Sequence, residues 1–245
     1  MTGRRPPMVP PLIRRPDLRE CPHPDTIVIM RLDPHEPATQ GWRRLDDVQL
    51  QEQLEALLPA SGTRLILVDG RSGAGKTTAA ERIAVALAAA VVHTDDIAWN
   101  HSVFDWDGLL LEHVIAPWRR GEPVAYRPPG WMRHGRSGTI DVPVVRTLVV
   151  EGVGACRPSL AAHADLTVWV QSDRVTAHDR GIERDVVIQG RTVQQAEDFW
   201  RRWMSAEDPF QAASRPWSRS RLIVRGTTLD PIDPYQLVVA DGPLA

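Results

Sequence analysis

The stretch RLILVDGRSGAGKTTAA, Arg64 to Ala80, constrains this chain more than any other. It reads as an apolar run, a glycine-rich turn and the opening of a helix. The turn fits G-x-x-x-x-G-K-[ST], with Gly70, Gly75, Lys76 and Thr77 in the fixed places. Phosphate geometry explains the spacing. Gly70, Gly73 and Gly75 permit backbone conformations closed to residues with a Cβ, so successive N–H groups can turn inward around an oxyanion. A helix opening at Lys76 adds its unpaired N–H groups and the positive end of its dipole. Lys76 can then reach the β- and γ-phosphates as a point charge, and the Thr77 hydroxyl is placed to ligate magnesium. The turn from Gly70 through Arg71, Ser72, Gly73, Ala74, Gly75, Lys76 and Thr77 to Thr78 is therefore the expected cradle for ATP. Position 76 holds the one lysine among 29 basic residues; arginine stands everywhere else.

A length of 245 residues with 42% hydrophobic content can fill the core of one large α/β domain, and a single P-loop without repeats favours one over two. The net charge of -2 gives no bulk electrostatic case for nucleic acid or an anionic membrane as partner. No apolar run approaches the roughly 20 residues of a membrane span, and the N-terminus lacks the apolar core of a secretory signal. Cys21 and Cys156 are too few for a disulfide scaffold and too far apart for a metal knuckle. A cytoplasmic protein is the expectation.

Residues 1–25 hold seven prolines and many arginines and read as a mobile or extended arm. Residues 26–60 read as an extension, with a short strand over Asp25 to Leu32 and one helix over Trp42 to Leu58. The main domain, 61–245, is expected to run as strand Leu65–Val68, helix Lys76 to about Ala90, and strand Val91–Asp96 ending in paired carboxylates. A helix over Trp106–Arg120, weakened by Pro117, follows. The glycines and prolines of Gly121–Gly138 suggest an irregular excursion. Strands Arg146–Gly152 and Leu166–Ser172, a helix from Asp173, a helix from Thr192 to about Ala206 and a closing strand at Leu222–Val224 complete the order. Alternating strands and helices predict a parallel, doubly wound sheet of about five strands flanked by helices, the P-loop NTPase fold, with ligands beyond the carboxyl ends of the strands.

Phosphoryl transfer needs a nucleotide cradle, a metal, a group that orients the attacking oxygen, and cations for the transferring charge. Glu151 occupies the place of a Walker-B-type acid, able to hold magnesium beside Thr77. Asp95 is the preferred orienting base, with Asp96 as a cap or supporting group. His93 reads as a core or supporting histidine. Arg180 and Arg184 are four residues apart and share a helical face; with Arg191 they could form a lid over the phosphates. Trp169, Trp200 and Trp203 are most simply core. Trp99 and Trp131 sit in the acceptor region, where stacking on an aromatic or heterocyclic substrate is conceivable.

From about Arg64 to Gly226 these residues resemble the uridine kinase and phosphoribulokinase group of P-loop kinases. GRSGAGKTT matches their P-loop throughout. TDDIAW matches the acidic segment with the catalytic aspartate at Asp95, and GEPVAYRPPGWMRHGR resembles the glycine-led segment ending in H-x-R, with His134 and Arg136 in register. LVVEG resembles their Glu-Gly strand end, and ERDVVIQGR their lid at Arg184, Asp185, Gly190 and Arg191. The resemblance implies an ATP-dependent kinase using magnesium, a five-stranded parallel sheet and a small acceptor held by Asp95, Trp99, Trp131, His134 and Arg136. The chain departs from the pattern at Pro129 and Gly130, and at Ile97 and Ala98, which lack the groups that hold a nucleoside. A nucleoside kinase, a kinase of an antibiotic or other secondary metabolite, and an adenine-nucleotide-binding regulatory ATPase without an acceptor all remain open on these residues. A guanine-specific switch is disfavoured, because its N-K-x-D element needs a second lysine.

Overall fold

The computed structural model describes residues 30–227 and 236–244. The proline-rich arm and most of the strand expected over Asp25–Leu32 lie outside the described residues, as does Cys21; Met30 to Leu32 carry no strand.

In chain order the elements are β1 (Arg43–Leu45), α1 (Asp47–Leu57), β2 (Arg64–Gly70), α2 (Lys76–Leu87), β3 (Ala90–His93) and α3 (Thr94–Ala98). A continuous helical stretch follows: α4 (Asp107–Leu110), a π-turn (Leu111–Ile115) and α5 (Ala116–Arg119). Pro117 has no N–H to give to the preceding turn, and the widened turn lies just before it. Then come β4 (Val124–Tyr126), α6 (Pro129–Arg133), β5 (Ile140–Val142), β6 (Thr147–Glu151), α7 (Pro158–Ala161) and β7 (Leu166–Gln171). The chain closes with α8 (Arg174–Val187), α9 (Val193–Ser214), a 3₁₀ turn (Pro216–Ser218), β8 (Leu222–Arg225) and β9 (Leu237–Asp241).

The main sheet has the order β1-β9-β8-β7-β2-β6-β3. Five strands, β3, β6, β2, β7 and β8, pair parallel, which is the predicted core. Two corrections follow at its edge. β8 does not close the sheet: β9 pairs with it antiparallel, and β1 pairs with β9. The N-terminal extension thus supplies an edge strand as well as its helix. Gly121–Gly138 is not irregular either; Ile140–Val142 lies beyond its glycines and gives β4 a partner in a two-stranded antiparallel sheet.

Alternation along β2 explains how one buried strand serves two cores. Ile66 and Val68 face a layer containing Leu50 and Leu54 of α1 and Ile83 of α2. Leu65 and Leu67 face the opposite layer, with Ile97, Trp106, Leu110 and Trp118. Covered on both faces, β2 can be apolar at nearly every position. The exception is Asp69, fully buried, whose carboxylate accepts the backbone N–H groups of Gly70, Gly154 and Cys156 at 2.7–3.0 Å. It ties the P-loop's first residue to the turn after β6. Among the described residues no helix is long and apolar enough to cross a membrane.

α8 begins at Asp173, whose side chain accepts from the N–H groups of Val175 and Thr176 and from Arg31. Burial alone would push this carboxyl up. The Thr176 N–H, then the backbone and guanidinium of Arg31, outweigh it and hold the pKa at about 2. The folded value lies below the unfolded one, so the stabilisation is complete above pH ~4 and is lost as pH falls toward 2. Asp173→Asn keeps a capping oxygen but cannot titrate. Urea denaturation between pH 4.5 and 2.5 is expected to show a shallower loss of stability in the variant than in the parent; parallel slopes would remove Asp173 from the acid response.

Candidate active site

The P-loop leaves β2 and enters α2 through two glycines in the left-handed region, Gly73 at φ 73° and Gly75 at φ 96°. Gly73 is required twice over, since a Cβ there would lie 1.9 Å from the Ala177 carbonyl of α8. Gly75 caps α2 without a side-chain acceptor, so no side chain at the cap takes up the first amides of that helix. Lys76 donates from Nζ to the Arg71 carbonyl at 3.0 Å, folding back across the mouth of the loop.

Behind the loop lies a network that the sequence did not reveal. Arg71, buried, reaches Asp33 at 2.6 Å and Asp208 at 2.5 Å, and Arg174 reaches the same Asp33 at 2.9 Å. The Ser72 N–H donates to Glu207 at 3.0 Å, and Glu207 also accepts from the Trp203 indole. Arg71 and Ser72 therefore work from the outside of the cradle. A buried arginine inside the motif was the one available signal for this network, because such a charge requires partners.

Register brings the acids together. Parallel pairing sets Val68 beside Glu151 and Glu151 beside His93. Glu151 accepts from Thr77 Oγ1 at 3.2 Å and pairs with His93 Nδ1 at 2.6 Å. The hydrogen bond to Glu151 pushes the His93 pKa up. Burial pushes the Glu151 carboxyl up, but the His93 bond and the Lys76 charge outweigh that and leave its pKa low. Gly152 follows at φ 145°, and a Cβ there would lie 1.8 Å from Thr94 Oγ1; the Glu-Gly pair thus packs the start of α3 against the acid.

Asp95 and Asp96 do not end a strand as expected but stand in the first turn of α3, because β3 stops at His93. That turn separates them. Asp95 lines a cavity of about 480 Å³ together with Lys76, Thr77 and Glu151, whereas Asp96 is held by Arg136 at 2.6 Å. Arg184 and Trp99 also line the cavity.

The other predicted contacts lie elsewhere. Trp131 is buried, gives its indole N–H to the Asp96 carbonyl at 2.8 Å, and carries the Arg136 guanidinium 3.6 Å from its ring centroid. It supports α3 rather than the cavity. His134 stands edge-on to Trp99 at 6.0 Å and is not a lining residue. Arg180 donates to the Gly226 carbonyl at 2.7 Å, and Arg191 to Asp185 at 2.6 Å, so of the three expected lid arginines only Arg184 reaches the cavity. The Gly130 departure has a steric cause: a Cβ there would lie 2.1 Å from the Trp99 carbonyl. The residues missed are Phe199, Trp200 and Trp203 of α9, which line the cavity rather than forming core. Their grouping at 199, 200 and 203 on one helix was the signal.

Magnesium fits this arrangement in one way. Among the described residues no group of three or more His, Cys, Asp or Glu could hold a metal alone. Thr77 and Glu151 offer one hydroxyl and one carboxylate, which suits an ion that completes its shell with phosphate oxygens and water.

No family model matches the chain, and no curated protein matches it. Among solved structures it is similar to a candidate fructose transport system kinase from Silicibacter sp. TM1040, at TM-score 0.51 and 19% identity, over 69% of this chain and 92% of that one. A candidate uridine kinase from Bacillus stearothermophilus overlaps less well, at TM-score 0.40 and 17% identity, over 67% of this chain and 93% of that one. The fold is that of the P-loop kinases.

The network behind the loop makes a contrast that can be measured. Asp33 is buried and Asp208 is over a third exposed. Asp33→Ala is expected to cost about 3 kcal/mol, the lower end for breaking a buried pair, since Arg71 keeps Asp208. Asp208→Ala should cost under about 1 kcal/mol. Equal losses in chemical denaturation would show that Asp33 is not the anchor.

Proposed function

We propose that the protein is a magnesium-dependent phosphotransferase that moves the γ-phosphate of ATP to the hydroxyl of a small molecule. The observation that carries this reading is that Lys76, Thr77, Glu151, Asp95 and Arg184, from four separate elements, open on one cavity. A switch that hydrolyses its nucleotide could use the same carboxylate to orient water; what favours a transferase is the further space beside Asp95, lined by Trp99 and the α9 rings, which a water does not need.

In this reading the α2 amides and Lys76 hold the β- and γ-phosphates. Thr77 and Glu151 would hold magnesium, which would supply charge neutralisation there. Asp95 is exposed and takes a hydrogen bond from the acceptor hydroxyl. The acceptor oxygen forms a bond to the γ-phosphorus as the bond from that phosphorus to the β–γ bridging oxygen breaks. ADP leaves with the electron pair, and the hydroxyl proton passes to Asp95 and then to solvent. Arg184, on α8 across the cavity, stabilises charge on the transferring group. Arg180 and Arg191 would contribute only after leaving Gly226 and Asp185.

Coupled ADP-release assays test the assignment. Lys76→Ala is expected to abolish magnesium-dependent release. Asp95→Asn should lower kcat by about 10²- to 10⁴-fold with little change in the KM for ATP. Near-normal kcat in Asp95→Asn, with an accepted substrate, would transfer the role of base to another group.

A further inference from the structure

The three aromatic side chains of α9 in the cavity are each seated by a partner of their own. Phe199 carries the Arg191 guanidinium 4.1 Å from its ring centroid, and Asp185 fixes that arginine. Trp200 stands edge-on to His178 at 5.3 Å and fills the space over Gly181, where a Cβ would lie 2.1 Å from its ring. Glycine inside a helix is unfavourable against alanine, so α8 is bare at the point where this ring lies. Trp203 gives its N–H to Glu207 and packs 6.1 Å from Phe104, itself stacked on Phe210 at 3.9 Å. The wall is preorganised, and it belongs to the same cavity as Asp95.

The chemistry of that cavity is divided. Lys76, Thr77, Glu151 and Asp95 gather at the phosphate end; beyond them Trp99, Val103, Val153 and the α9 rings are apolar, and Asn100, His101 and Ser102 supply polar groups from the single segment after α3. A sugar could pair some hydroxyls with Asn100, His101 and Ser102, but those laid against the faces of the α9 rings would find no acceptor, and unpaired polar groups are unfavourable when desolvated. A carboxylated acceptor would need a cation of its own. Among the described residues the one arginine or lysine lining the cavity outside the P-loop is Arg184, and the reading above assigns it to the transferring phosphate. The adenine of ATP is not the natural occupant either. The γ-phosphate must lie between Lys76 and Asp95, and the base is carried behind it by two further phosphates and a ribose. A wall continuous with Asp95 faces the acceptor.

Resting on the phosphotransferase reading above, we propose that the acceptor is an alcohol whose hydroxyl is carried one methylene from a flat, uncharged, apolar ring system, which lies against Phe199, Trp200 and Trp203 with its hydroxyl at Asp95. A volume of about 480 Å³ accommodates a bicyclic molecule of this class.

The test uses the full chain with magnesium and ATP, and reads ADP release with naphthylmethanol, benzyl alcohol, ribose, glucose, uridine and shikimate at matched concentrations. Naphthylmethanol is expected to stimulate release at least about tenfold more than the sugars, uridine or shikimate. Phe199→Ala and Trp203→Phe should each raise its KM by about tenfold, with the KM for ATP changed less than about threefold. Circular dichroism and the melting temperature check that both variants are folded; Phe199, partly exposed, carries the conclusion if Trp203→Phe is not. Strongest stimulation by a sugar, uridine or shikimate overturns the acceptor class and leaves the kinase reading standing. So does ATP binding without stimulation by either aromatic alcohol. A parallel rise in the KM for ATP assigns the wall to the nucleotide and overturns the inference. Failure to bind magnesium-ATP in equilibrium dialysis overturns the underlying reading itself.

Discussion

A loop that binds phosphate with its backbone must be held from behind, and here Arg71 does the holding. Its guanidinium is buried, which is tolerable only because carboxylates from two distant parts of the chain, Asp33 and Asp208, meet it. The Ala177 carbonyl of α8 closes on Gly73 beside it. Residues 33, 71, 174 and 208 thus form one ionic cluster, and the N-terminal extension is a working part of the domain. Its other contacts follow the same logic: Glu36 accepts from the Trp169 indole and from Gln171, and the Thr39 N–H donates to Gln171. Removing this segment would expose the outer face of β7 as well as loosen the P-loop.

The second consequence is that α9 serves both ends of the reaction. Glu207 grips the Ser72 amide and the Trp203 indole, four residues apart on the helix. A shift of α9 toward or away from an acceptor must therefore be felt at the P-loop, through Glu207 on the Ser72 amide and through the neighbouring Asp208 on Arg71. Glu207 has no solvent to compensate it if either bond is lost, since it is fully buried. This gives a physical route by which occupation of the aromatic wall and the geometry of the phosphate cradle are coupled.

The five parallel strands were legible because each is an apolar run bounded by turn residues, and Lys76, Thr77 and Glu151 were legible because phosphate geometry fixes their spacing. Adjacent in sequence, Asp95 and Asp96 are told apart by α3's first turn, which sets one on the cavity and the other against Arg136. What remained hidden depended on non-local pairing. β9 reads as a tail until β1, from the far end of the domain, is seen beside it. Trp131 and Trp203 look alike in sequence, each a tryptophan among arginines. Only packing separates them: Trp131 is buried under Arg136, whereas Trp203 lines the cavity. The lid arginines mislead for a similar reason, since charge pattern cannot show that Asp185 and the Gly226 carbonyl already engage them.

Glu151 shows how the site resolves a conflict between its parts. A carboxyl so deeply placed would by burial alone favour its neutral form, which could neither accept from Thr77 as an anion nor order water around a metal. Parallel register puts His93 on the neighbouring strand at the same level, and the helix after the P-loop brings Lys76 and Thr77 across from it. Together they hold the carboxylate ionised. His93 makes the largest of these contributions. Its bond to Glu151 Oε1 uses the same oxygen as Thr77, so one carboxylate oxygen joins the neighbouring strand to the helix after the P-loop.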